Sequence, residues 1–104
     1  MIQLFQTPTG HAPILVCDHC GKRIEDAKSA VAVAPYSRKY PNGNRRILHS
    51  HKGSCFDAIE RTEGEKCSWE ELSMHIRLLA ENVTLSPKEL NEQQNVDAEW
   101  GINK

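Results

Sequence analysis

The chain has 104 residues, 38% of them hydrophobic, with a formal net charge of −1, four cysteines and five histidines. That length suits one small domain. Its apolar supply is modest enough that a staple such as a metal ion or disulfides is expected to help hold the fold. The opening MIQLFQTPTGHAP lacks the basic start and long apolar core of a secretion signal, and no apolar run reaches the ~18 residues a membrane span needs. The expectation is therefore a soluble cytoplasmic protein without membrane association, whose cysteines bind metal or react and do not pair.

Charge is uneven along the chain. Residues 1–55 hold eight Lys/Arg against three Asp/Glu, and residues 56–104 hold five against eleven. Attraction between the halves, or simple solvation, accounts for this; an anionic partner for the basic half is the alternative.

In chain order, IQLF and PILVC read as two short extended segments around a Pro/Gly turn. Cys17 and Cys20 follow, with Gly21 supplying the permissive backbone of a tight turn. SAVAVAPYSRKY carries β-branched Val31 and Val33 and reads as a strand, with Pro35 marking an edge or a bend. PNGN at residues 41–44 is a strong hairpin-turn signal, and RRILHSH returns as the partner strand. GSCFDAIERTEG reads as a short helix, capped by Ser54, with Asp57 in its first turn and Gly64 after its end. SWEELSMHIRLLAENV reads as a second helix. Ser68 and Glu71 form an S-x-x-E box, and Trp69, Leu72, Ile76, Leu79 and Val83 form one apolar stripe. SPKELNEQQN repeats the device with Ser86, Pro87 and Glu89. The tail VDAEWGINK has no clear period. The expected organisation is an α+β module over 1–66, a helical extension packed on it over 67–96, and a tail over 97–104.

The candidate metal ligands, in order, are Cys17, Cys20, His49, His51, Cys55 and Cys67. A C-x2-C turn aims two sulfurs at one point, and thirty residues later H-x3-C places a ligand before a helix and another in its first turn. Thiolate with imidazole in a four-ligand set suits Zn²⁺. The expected set is Cys17, Cys20, His51 and Cys55. His51 is preferred over His49 because it sits nearer the helix start, and Cys67 is the alternative fourth ligand. His11, His19 and His49 read otherwise as surface histidines, and His75 as a partly buried helix residue. Four protein ligands leave no open position, so one structural Zn²⁺ is expected and no catalysis.

CDHC, a hairpin turning at PNGN, and HKGSC opening a helix together resemble a treble-clef zinc finger, over residues 15–63. LIM-type fingers share the outline. This chain has one four-ligand set where LIM has two, and H-x3-C where LIM has H-x2-C, so the resemblance implies a single zinc module and does not carry over LIM partner chemistry.

Two catalytic readings are weaker. A redox C-x-x-C normally opens a helix inside a βαβ pattern, and here a turn and a strand follow. An HNH-type nuclease would need metal-binding groups on the helix, which offers only Asp57 and Glu60. The expected role is a small interaction module. It would act through its helices on a protein partner, or on a second copy of itself. The alternative is nucleic-acid binding through the hairpin 36–46, with Arg38, Lys39, Arg45 and Arg46 for phosphates and Tyr36 and Tyr40 for bases. Charged hairpin ends are also a common solubility device.

Overall fold

A computed structural model describes residues 1–85 and Lys88; the helix expected from Ser86 and the tail 97–104 lie outside the described residues. The described part is a mixed α+β fold with two sheets and two helices. Strands β1 (Ile2–Thr7) and β2 (Gly10–Leu15) form an antiparallel hairpin. After a 3-10 turn at Ala27–Ser29 come β3 (Ala30–Ala34), β4 (Leu48–His51), α1 (Ser54–Glu63), β5 (Ser68–Glu71) and α2 (Leu72–Asn82). The second sheet has the order β4-β3-β5, antiparallel throughout. Among the described residues no helix is long and apolar enough to cross a membrane.

β3 is the centre of the domain, and its sequence AVAVA explains why. A strand covered on both faces reads as an unbroken apolar run, and Ala30 to Val33 are all buried. Val31 and Val33 pack with Ile59 of α1 and with Cys67, backed by Leu48 and Phe56. On the opposite face Ala30 joins Cys17, Ile24 and Leu72. The small alanine side chains let the cysteine turn and the start of α2 come close to the sheet. Pro35 does not mark an edge strand. β3 is the middle strand, and Pro35 follows its last residue, where no ladder N–H is required.

The long hairpin turns where PNGN predicts. Lys39 bridges Arg45, Tyr40 N–H donates to Asn44 O at 2.8 Å, and Gly43 takes φ +88°. Helix α1 stops at Gly64, whose φ of +72° is left-handed and whose N–H donates to Glu60 O. A Cβ at Gly64 would meet nothing within 4 Å, so Gly64→Ala carries only the backbone cost. An equilibrium urea titration is expected to show a loss of ~1 kcal/mol.

Two local readings are corrected. Ser54 does not cap α1. It is the first helical residue, and Gly53 at φ +78° occupies the cap position without a side-chain bond. SWEE is not the start of a helix. Ser68–Glu71 pairs with β3 in the register Val33↔Trp69 and Val31↔Glu71, which places Trp69 on the valine face in edge contact with Phe56 at 6.3 Å. Ser68 Oγ accepts a hydrogen bond from Arg45 Nη1 at 3.0 Å, and no side-chain cap forms on α2. Completing the sheet outweighs the local capping signal, because β3 would otherwise leave a row of backbone groups unpaired in the core. Of the expected apolar stripe only Leu72 is buried; Ile76, Leu79 and Val83 are 47%, 52% and 65% exposed.

Candidate metal centre

Cys17 follows β2 and begins a tight turn. Its N–H donates to Lys22 O at 2.9 Å, Gly21 N–H donates to Cys17 O at 3.0 Å, and Val16 bridges Arg23. Gly21 takes φ +74°, which closes the loop without the steric cost a side chain would bring. Inside the loop Cys20 N–H points at Cys17 Sγ at 3.5 Å. The turn is fastened to β4 by Asp18, whose N–H donates to His49 O and whose Oδ2 accepts His49 N–H, both at 2.7 Å. Asp18 is a positioning residue that spacing rules did not single out. Its only sequence signal is a short hydrogen-bonding side chain inside C-x-x-C.

His51 is the last residue of β4, opposite Ala30. Lys52 N–H then donates to Ser29 O at 2.8 Å, which fixes the chain as it enters α1. Cys55 lies in the first turn of that helix. The ligand atoms of Cys17, Cys20, His51 and Cys55 all lie within 4.8 Å of one another, with Cys20 Sγ 3.5 Å from His51 Nδ1. Metal–sulfur bonds of ~2.3 Å in a tetrahedron imply S···S edges of ~3.8 Å, which this cluster can accommodate. The cluster can hold a metal ion.

Electrostatics favour a cation there. Burial acts to raise the Cys17 pKa, but hydrogen bonds from the backbone N–H groups of Cys20, His51 and His19 outweigh it and bring the value down to about 6. Burial and the neighbouring Cys17 and Cys20 sulfurs push Cys55 up to about 11. The backbone thus welcomes one thiolate, while further thiolates repel it. A divalent ion at the centre removes that conflict and lets every sulfur ionise.

The remaining candidates fall elsewhere. His49 is not a surface residue: it is buried, its Nδ1 has no hydrogen-bond partner among the described residues, and its ring meets His75 edge-on at 5.5 Å. Burial, then the Met1 ammonium group and the neighbouring His75 ring, lowers its pKa to about 4, so it is a neutral core imidazole. His75 is half-buried and bonded to Glu70 at 3.0 Å. His11 and His19 are exposed. Cys67 is absent from the ligand cluster. It is buried in the valine-face core, its N–H donates to Glu60 Oε2 at 2.9 Å, and burial followed by Glu60, Glu65 and Glu63 raises its pKa. Cys67→Ala is expected to leave metal content per chain unchanged and to cost ~1 kcal/mol of stability; metal analysis beside a urea titration checks both.

In the basic hairpin several groups are already engaged. Arg38 pairs with Glu63 at 2.7 Å, Arg45 stacks over Tyr36 at 4.5 Å while bonding Ser68, and Arg46 lies over Tyr40 at 4.9 Å. Both tyrosines remain about half exposed. At the α1 positions weighed for nuclease chemistry, Asp57 is exposed and Glu60 accepts the Cys67 N–H.

The fold and site define a small mixed α+β domain with a candidate three-cysteine, one-histidine metal centre. No family model, no curated protein and no solved structure matches the chain.

Proposed function

We propose that the chain is a treble-clef-like zinc module. In this reading Cys17, Cys20, His51 and Cys55 bind one Zn²⁺ in a closed, structural site, and the protein serves as an interaction module and not as an enzyme. The convergence of three thiols and an imidazole within 4.8 Å carries this reading. Thiolate and imidazole donors select zinc, and four protein ligands leave no position for a reactive water. The order of parts supports the treble-clef resemblance: a cysteine turn, the β3–β4 hairpin, then α1 with its ligand in the first turn. The cysteine pair lies in a turn between strands and does not itself open a helix as a redox C-x-x-C does, and its sulfurs converge on His51 and on Cys55 in the first turn of α1.

A protein partner is supported by the outward face of α2. Ile76 and Leu79 stand exposed and line an apolar groove of about 560 Å³ that runs to Ile2 and Ile14 of the N-terminal hairpin. Nucleic-acid binding through residues 36–46 has less support, because Arg38 and Arg45 are already committed within the chain.

Titration with a strong chelator tests the core of the proposal. Zinc should be present at one ion per chain, and its removal should abolish the circular dichroism of the folded state, with recovery on adding zinc back. Retention of the native spectrum after complete stripping would contradict a structural role.

A further inference from the structure

The N-terminal hairpin has one finished edge and one open edge. Thr7 and Gly10 flank its two-residue turn, with Phe5 opposite Ala12 and Gln3 opposite Ile14. Beyond them Val16 N–H donates to Met1 O at 2.8 Å. Pairs that flank a two-residue turn exchange both hydrogen bonds, and the pattern then alternates. The odd-numbered residues of β1 therefore bond to β2, and Ile2, Leu4 and Gln6 aim their N–H and C=O groups away from it. Those groups have no hydrogen-bond partner among the described residues.

The two outer edges differ in chemistry. On β2 the outward residues are His11, Pro13 and Leu15. Pro13 has no N–H, and Leu15 O already accepts Ile24 N–H at 2.8 Å, so that edge is blunted. β1 reads IQLFQT. It has no charge, no proline and no glycine, which leaves it without the usual protection of an edge strand. Ile2 and Leu4 are 69% and 65% exposed.

We infer that the β1 edge pairs with the β1 edge of a second copy of this chain, antiparallel about a two-fold axis at Leu4. Leu4 then faces its own symmetry mate and Ile2 faces Gln6, so the three outward residues of each copy form about six backbone hydrogen bonds. The uncharged strand brings no like charges together across the axis, where such a pair would oppose association. The Leu4 side chains meet on the face that also carries Ile2, Pro13 and Leu15. Because the β2 edge is blunted, the four-stranded sheet closes at two copies and does not grow into a fibre. Six residues a side fall short of the ~20–30 in a standard stable interface, so the dimer is a weak, concentration-dependent one. This inference rests on the hairpin alone and is independent of the metal reading.

Sedimentation velocity on the full chain as purified, from ~5 to ~500 µM, follows the association. Amide hydrogen exchange over the same range supplies a residue-level readout. The expected result is a monomer–dimer equilibrium in which the Ile2, Leu4 and Gln6 amides slow as concentration rises, while those of Gln3, Phe5 and Thr7 do not change. Leu4→Pro removes the central N–H but leaves the β1–β2 ladder intact, as Pro13 does on the facing strand, and should weaken dimerisation at least tenfold. Leu4→Lys, which sets like charges opposite one another, should do the same and is read if the proline variant loses its native circular dichroism. A chain that stays monomeric at the highest concentration overturns the inference. So does a dimer whose outward β1 amides exchange at one rate throughout, or a dimer that Leu4→Lys leaves intact.

Discussion

Cys17→Ser is expected to unfold the domain. Cys17 is fully buried, its sulfur belongs to the four-atom cluster, and it packs with Ile24, Ala30 and Leu72. Serine removes a thiolate ligand and leaves a hydroxyl in an apolar site. Structural zinc in small modules contributes on the order of 10 kcal/mol, comparable with the whole 5–15 kcal/mol stability typical of a folded domain. Far-UV circular dichroism should therefore report loss of structure at room temperature, and limited proteolysis should cut within the β3–β4 hairpin. Cys20→Ser gives a useful comparison, because Cys20 is exposed. Its loss removes the same kind of ligand with little loss of packing. If both variants unfold, ligation is responsible; if only Cys17→Ser does, burial is.

The second large effect is expected at Leu72. It is 2% exposed and sits where α2 begins, closing the alanine face of β3 over Cys17 and Ile24. Leu72→Ala should cost about 2–5 kcal/mol, since it removes buried methyl groups and leaves a cavity that a sheet-backed site fills poorly. Leu79→Ala, on the same helix but 52% exposed, should stay within ~0.5 kcal/mol. Urea unfolding of the two metal-loaded variants measures the contrast. Equal losses would mean that the outer face of α2 is covered in solution.

That contrast also marks how far the sequence could be read. The cysteine turn and the PNGN hairpin were legible because their chemistry is local. A C-x2-C-G run and an Asn-Gly pair each constrain the backbone through residues that are neighbours in the chain. The ligand set expected from spacing is the set of side chains that meets in space, since H-x3-C crosses only from a strand end into the first turn of a helix. Reading failed where long-range pairing decides the outcome. Ser68 and Glu71 have the spacing of a capping box, yet β3 needed a partner on its second side and recruited SWEE as β5. The same event moved Trp69 off the helical stripe and left Ile76 and Leu79 without a buried face. Pro35 marks an edge or a bend by rule, and a proline just past the last ladder residue is compatible with a central strand. His49 stands in the sequence as an alternative ligand or a surface histidine, because nothing local announces that α2 will cover it.

Cobalt substitution tests the metal centre most directly. Co²⁺ replaces zinc in tetrahedral sites and reports its ligands through visible absorption: ligand-field bands for the geometry, and thiolate charge transfer for the number of sulfurs. Saturation is expected at one Co²⁺ per chain, with a tetrahedral spectrum showing three thiolates, displacement by one equivalent of Zn²⁺, and an unchanged spectrum in Cys67→Ala. A weak octahedral spectrum, no stoichiometric endpoint, or loss of a thiolate band in Cys67→Ala would contradict the proposed metal centre.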